Sequence, residues 1–151
     1  MSRWLRFYVW TLATAGFLAL GWSVWKLWPG PPDWFGLALF TVIVALAEMT
    51  GTELLPGSRA TISVSSVIYF ASLLIFGPFG GTITAASSGL AATALTAIRA
   101  RGSAEKGKTP RLQRALCNMS TFAISSLLAG LVYTATGGTV GEISGVANLW
   151  P

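Results

Sequence analysis

Histidine is absent from this 151-residue chain, and cysteine occurs once, at Cys117. Without histidine, the commonest general base, proton switch and metal ligand is missing. One cysteine cannot close an intrachain disulfide, which excludes the small secreted scaffolds that depend on such bridges. Charge is scarce as well: 10% of residues are Asp, Glu, Lys or Arg, against about 25% in a typical soluble domain. A chain this poor in charge cannot cover its surface for water, so an ordinary soluble enzyme is excluded. The acids Asp33, Glu48, Glu53, Glu105 and Glu142 are scattered. They form no carboxylate pair and no metal-ligand spacing, and no nucleophile has a base beside it. The chain is therefore expected to be non-catalytic and to use no cofactor or metal.

Apolar sequence is what the chain has in plenty. Hydrophobic residues make up 53% of it, and the mean hydropathy is +0.64. A helix crosses the hydrocarbon core in about 20 residues, because each adds about 1.5 Å and lipid offers no water to an open backbone. Five stretches reach or approach that length: residues 4–28, 34–50, 61–77, 80–98 and 115–136. The expected fold is all-α, a polytopic transmembrane helix bundle of about five spans forming one membrane domain over residues 1–151. Pro29, Pro31 and Pro32 end the first stretch, and Asp33 is a natural N-cap for the second. Gly77 and Pro78 stop the third, while Gly80 and Gly81 let the chain reverse into the fourth. The first stretch is expected to be a retained transmembrane helix and not a signal peptide. Its apolar core outruns an h-region of about 7 to 15 residues, and Trp22, Trp25 and Trp28 stand where cleavage needs small residues.

The basic residues orient the bundle. They are Arg3, Arg6, Lys26, Arg59, Arg99, Arg101, Lys106, Lys108, Arg111 and Arg114. If the helices alternate and the N-terminus is cytoplasmic, all but Lys26 fall inside, as the positive-inside rule requires. Residues 99–114 then form a cytoplasmic loop whose Arg99, Arg101, Lys106, Lys108, Arg111 and Arg114 fix the topology and touch anionic headgroups of the lipid bilayer. The loop lacks the aromatic interleaving of a nucleic-acid site, so no nucleic-acid partner is expected. Five spans would leave 137–151 outside, and the chain is expected to be part of a longer protein.

Helices in lipid associate where small side chains let backbones approach. Gly81, Ala85, Gly89, Thr93 and Ala97 recur every four residues, and Thr84, Ser88, Ala92 and Thr96 form a second row beside them. This segment is expected at the centre of the bundle, with Thr11, Ala15 and Ala19 of the first helix and Ser126 and Gly130 of the fifth as mating surfaces. Glu48 follows an uninterrupted apolar run, and an acid at the bilayer centre costs about 2.5 to 3.5 kcal/mol on insertion scales. Two roles are open to it: a headgroup-level acid paired with Arg59, or a buried ligand or proton site. Ser65 and Ser66 lie on a hydroxyl-rich helix that is either shielded within the bundle or lines a polar cavity. Asn118 is expected to bond a neighbouring helix, with direct ligand binding as the alternative. Cys117 reads as a small packing residue.

The run ISVSSVIYFASLLIFGPFGGTITAASSGLAATAL at 62–95, followed by PRLQRALCNMSTFAISSLLAGLVY at 110–133, resembles the multi-pass N-terminal membrane region of bacterial signalling proteins that carry an HD-GYP phosphodiesterase or a GGDEF cyclase domain. A serine-rich helix start, a Gly-Pro turn, a small-residue helix and a basic loop leading to a Phe-Asn pair mark that group. Here Cys117 stands in the place of the Phe, and Asn118 matches the Asn. The resemblance covers roughly residues 48–133 and implies a sensory or anchoring module of the bacterial inner membrane, joined to a cytoplasmic domain that this sequence does not contain. A weaker resemblance is to the substrate-binding subunits of energy-coupling-factor transporters, which implies six spans and a bound small molecule. A third reading is an accessory subunit held by other membrane protein chains.

Overall fold

The computed structural model describes residues 3–30, 33–49, 52–53, 61–62, 64–99 and 111–141. Four helices account for most of them: α1 (Arg3–Leu27), α2 (Trp34–Met49), α3 (Ser65–Arg99) and α4 (Arg111–Ala135). Between α2 and α3 lies a two-residue antiparallel ladder, β1 (Thr52–Glu53) on β2 (Thr61–Ile62), pairing Thr52 with Ile62 and Glu53 with Thr61.

Although α3 runs for 35 residues, its backbone breaks at Gly77, where φ is 76° and ψ is −176°. The Thr84 hydroxyl donates to Ser72 Oγ at 2.9 Å although the two are 12 residues apart; in a straight helix they would be separated by about 18 Å. A Cβ on Gly81 would stand 2.7 Å from Leu73 Cβ. The helix therefore folds back on itself, and its arms 65–76 and 78–99 lie side by side in opposite directions. Pro78 opens the second arm, where its fixed φ suits the first helical turn and its missing N–H is not needed. That missing N–H would have served the carbonyl of Leu74, which instead accepts from the Gly141 N–H at 2.9 Å. The chain beyond α4 thus closes over the fold-back, with Val140 3.2 Å from the Cβ position of Gly77.

Contacts along the helices set their directions. Near the fold-back, the Trp22 ring of α1 lies 6.2 Å from Phe79, and Phe40 of α2 meets Phe76 edge-on at 5.5 Å. Gly130 of α4 faces Pro78 there too. The start of α1, the end of α3 and the start of α4 lie at the other end. Successive traverses alternate: α1 runs toward the fold-back, α2 away, 65–76 toward, 78–99 away and α4 toward. Among the described residues α3 packs on α1, α2 and α4, and α1 packs on α4, whereas α2 touches only α3.

The interior is small and polar. Ala13, Ser23, Thr82, Thr84, Ala85, Ser88, Ser120 and Ala123 are buried, while Trp4, Phe7, Trp10, Phe17, Trp25, Phe35 and Phe70 are exposed. A water-soluble protein shows the reverse arrangement of large apolar groups. By length and composition Arg3–Leu27 and Ala115–Ala135 are each apolar enough to cross a bilayer, and Ser65–Ala94 reaches that measure only with its two arms counted together. The molecule is a helical bundle with the inside-out polarity of a membrane protein.

The elements differ from the sequence expectation in four places. Helix begins at Ser65 instead of 61, because Thr61 and Ile62 pair with β1. The last helix begins at Arg111 instead of 115, carrying the helical backbone a turn into the basic stretch. The buried row of α1 is Val9, Ala13, Gly16, Ala19, Ser23 and Leu27, while Thr11 and Ala15 are exposed. A strict four-residue repeat drifts around a helix of 3.6 residues per turn, and the true contact row steps by three and four. Finally, α2 with 16 residues rises about 24 Å and arm 65–76 about 18 Å, both short of a hydrocarbon core of about 30 Å.

Candidate functional site

The side chain that draws the most segments together is Glu48. Its Oε2 accepts a hydrogen bond from the Ser65 hydroxyl and a second, at 3.3 Å, from the Ser88 hydroxyl. Ser65 belongs to the first arm of α3 and Ser88 to the second, so one carboxylate oxygen of α2 ties both arms. Only the fold-back permits this, since the two serines would be about 34 Å apart in a straight helix. Ser65 and Ser88 are buried, and Glu48 is half-buried. Hydrogen bonds to the Glu48 carboxyl offset part of the cost of holding a polar group away from water.

Further along the hairpin, toward the fold-back, the Ser72–Thr84 pair forms a second polar tie, both residues being fully buried. Thr82 and Thr93 return their hydroxyls to the carbonyls four residues earlier, Pro78 at 2.7 Å and Gly89 at 3.0 Å. Most interior hydroxyls of α3 are thus spent within the hairpin.

Glu48 is the penultimate residue of α2, and its contacts set its height in the bundle. Ser88 lies halfway along arm 78–99. At the same level, Gly89 faces the backbone of Met119 at 2.7 Å from its Cβ position, and Gly16, midway along α1, faces Ser120. The carboxylate is therefore at the middle of the bundle, because α2 starts at the fold-back end and is only 16 residues long. Arg59, its expected partner in one reading, lies outside the described residues.

The other sequence candidates are spread around this centre. Ser66 is on the exposed side of the first arm. Asn118 is on α4, where its Nδ2 donates to Thr93 Oγ1 at 3.2 Å; that contact is on a different flank of arm 78–99 from Glu48. Gly81 packs on Leu73 of the facing arm, Ala85 is fully buried, and Gly89 and Gly130 receive α4 and Pro78 at backbone distance. Ser126 is buried on α4. Arg99, Arg111 and Arg114 occupy the helix ends remote from the fold-back, as do Arg3 and Arg6. Arg101, Lys106 and Lys108 lie outside the described residues. Sequence reading missed Ser88 as a partner of Glu48. The available signal was the near-equal spacing of Ser65 and Ser88 on either side of Gly77-Pro78.

Comparison with protein families, curated proteins and solved structures finds no match to this chain.

Proposed function

We propose that this chain is a membrane-embedded, non-catalytic sensing or anchoring module of a bacterial signalling protein, resident in the inner membrane. It crosses five times with its N-terminus in the cytoplasm, and it would act together with a cytoplasmic domain or other membrane chains. The observation that carries this reading is the alternation of helix direction, which gathers Arg3, Arg6, Arg99, Arg111 and Arg114 at one end of the bundle and leaves Lys26 at the other. Positive-inside bias then assigns the basic end to the cytoplasm. Exposed Trp4 and Tyr8 at that end, and Trp22, Trp25, Trp28 and Trp34 at the fold-back end, suit two interfacial aromatic belts. The occupation of Glu48 by Ser65 and Ser88 favours a module whose interior polar groups serve its own packing over a carrier that offers them to a substrate.

Cysteine accessibility in intact cells tests the topology. In a Cys117→Ala background, Ser58→Cys and Ser103→Cys should be labelled only after the inner leaflet is exposed, and Gly30→Cys and Gly138→Cys from outside. Labelling of Ser58→Cys from neither side would replace the two short passes by a re-entrant pair. The signalling role is tested by the natural reading frame after Pro151: a further span and a soluble domain support it, and a stop codon there overturns it.

A further inference from the structure

The outer face of α4 carries polar groups where a lipid-facing helix should have none. Met119, Ser120, Ala123, Ser126, Leu127 and Gly130 are buried against α1 and α3. Directly opposite them lie Asn118, Thr121, Ser125, Leu128 and Val132, all exposed. Their spacing of three, four, three and four is the 3.5-residue period of a helix–helix seam. In the half remote from the fold-back the seam is an amide and two hydroxyls. That half differs from the exposed surface of α1, where Trp10, Phe17 and Leu18 present hydrocarbon, as Leu128 and Val132 do in the other half of the seam.

The hydrogen-bonding state of these residues sharpens the contrast. Exposed Thr11 and Thr14 of α1 return their hydroxyls to carbonyls four residues earlier, as lipid-facing hydroxyls do. Asn118 spends one N–H on Thr93, which holds its amide in place while its carbonyl oxygen accepts from none of the described residues. Polar groups left open in hydrocarbon favour association with a surface that can satisfy them.

We infer that this seam is a self-association surface, on which α4 packs in parallel against α4 of a second copy of the chain. The occupant is a second copy because an amide is its own complement: a carbonyl acceptor and an N–H donor on each Asn118 pair reciprocally across a two-fold axis, which a parallel seam places at equal height. One polar residue at such a position fixes register in paired helices, while Thr121 and Ser125 are small enough for close approach. This inference rests on the membrane reading above, but it concerns a different surface from the Glu48 cluster.

The test is oxidative cross-linking of the full chain in membranes, on a Cys117→Ala background, with single cysteines at Thr121, Ser125, Leu128 and Val132 and with Leu18→Cys as the outward-facing control on α1. Disulfide-linked dimers should form at the four seam positions and not at Leu18. Asn118→Leu, read by energy transfer between labelled copies diluted in vesicles, should weaken association by about threefold or more. Monomers throughout, cross-links as strong at Leu18 as on the seam, or linkage only to a different polypeptide would overturn the inference. Carbonate extraction of the same membranes separates the two failures: release of the chain would sink the membrane reading itself, and retention of a monomer would sink only the dimer.

Discussion

Glu48 shows how one side chain can hold a bundle that hydrophobic burial alone does not hold. In lipid, hiding a leucine gains little, so hydrogen bonds between helices matter more than their number suggests. One carboxylate oxygen joins α2 to Ser65 and Ser88 on the two arms of α3. Replacing it with leucine leaves two buried hydroxyls without that acceptor, at a cost of about 1 to 3 kcal/mol. Glutamine keeps one acceptor oxygen and should lose less. Unfolding in mixed micelles should therefore rank the native chain above Glu48→Gln and Glu48→Gln above Glu48→Leu; a Glu48→Leu variant as stable as the native chain would mean that Glu48 does not clamp the arms. Gly89 makes the complementary point about volume. A Cβ there would meet Met119 N at 2.7 Å and Met119 Cα at 2.8 Å, and backbone cannot swing aside as a side chain does. Gly89→Ala should destabilise by about 1 to 3 kcal/mol. At Gly21, where nothing lies within 4 Å, the same change should be neutral or stabilising by about 0.5 to 1 kcal/mol. The two substitutions in one unfolding assay separate packing from helix propensity.

At the scale of elements, the fold-back of α3 is the feature on which the others depend. The Gly77-Pro78 break was legible in the sequence, since only glycine takes a positive φ without strain and proline suits the first turn of a helix. The apolar runs were legible for the same kind of reason, because length and composition alone decide what can cross hydrocarbon. What could not be read was the pairing across the turn. Ser65 and Ser88 come together only when the turn is tight enough to bring the arms into contact, which depends on Gly81 fitting against Leu73. The α1 row was misread for a related reason: Gly16 rather than Ala15 faces α4, and helix rotation is set by the partner. Gly77→Ala tests the turn. It places a Cβ on a residue at φ 76° and about 3.2 Å from Val140, so about 1 to 2 kcal/mol should be lost. Loss of the Gly141–Leu74 hydrogen bond should accompany it, visible as faster amide exchange at Gly141.

For the whole molecule, the unequal lengths of the traverses decide which charges can command orientation. Arm 78–99 and α4 are long enough for a hydrocarbon core and flank the basic stretch 99–114 in sequence, whereas Arg59 lies in sequence between α2 and arm 65–76, which are not. Charge close to the ends of strongly apolar helices weighs most in topology. The stretch carrying Arg99, Arg101, Lys106, Lys108, Arg111 and Arg114 should therefore outweigh Arg3 and Arg6. Arg3→Ser with Arg6→Ser should leave Ser103→Cys protected from an external thiol reagent in the Cys117→Ala background. Changing Lys106, Lys108, Arg111 and Arg114 together to Gln, with Arg3 and Arg6 intact, should expose Ser103→Cys to that reagent in a measurable fraction of molecules. Both opposing outcomes are informative. Inversion by the N-terminal pair alone would make α1 the orienting element, and protection in every variant would mean that packing of α3 on α4 holds the topology after insertion.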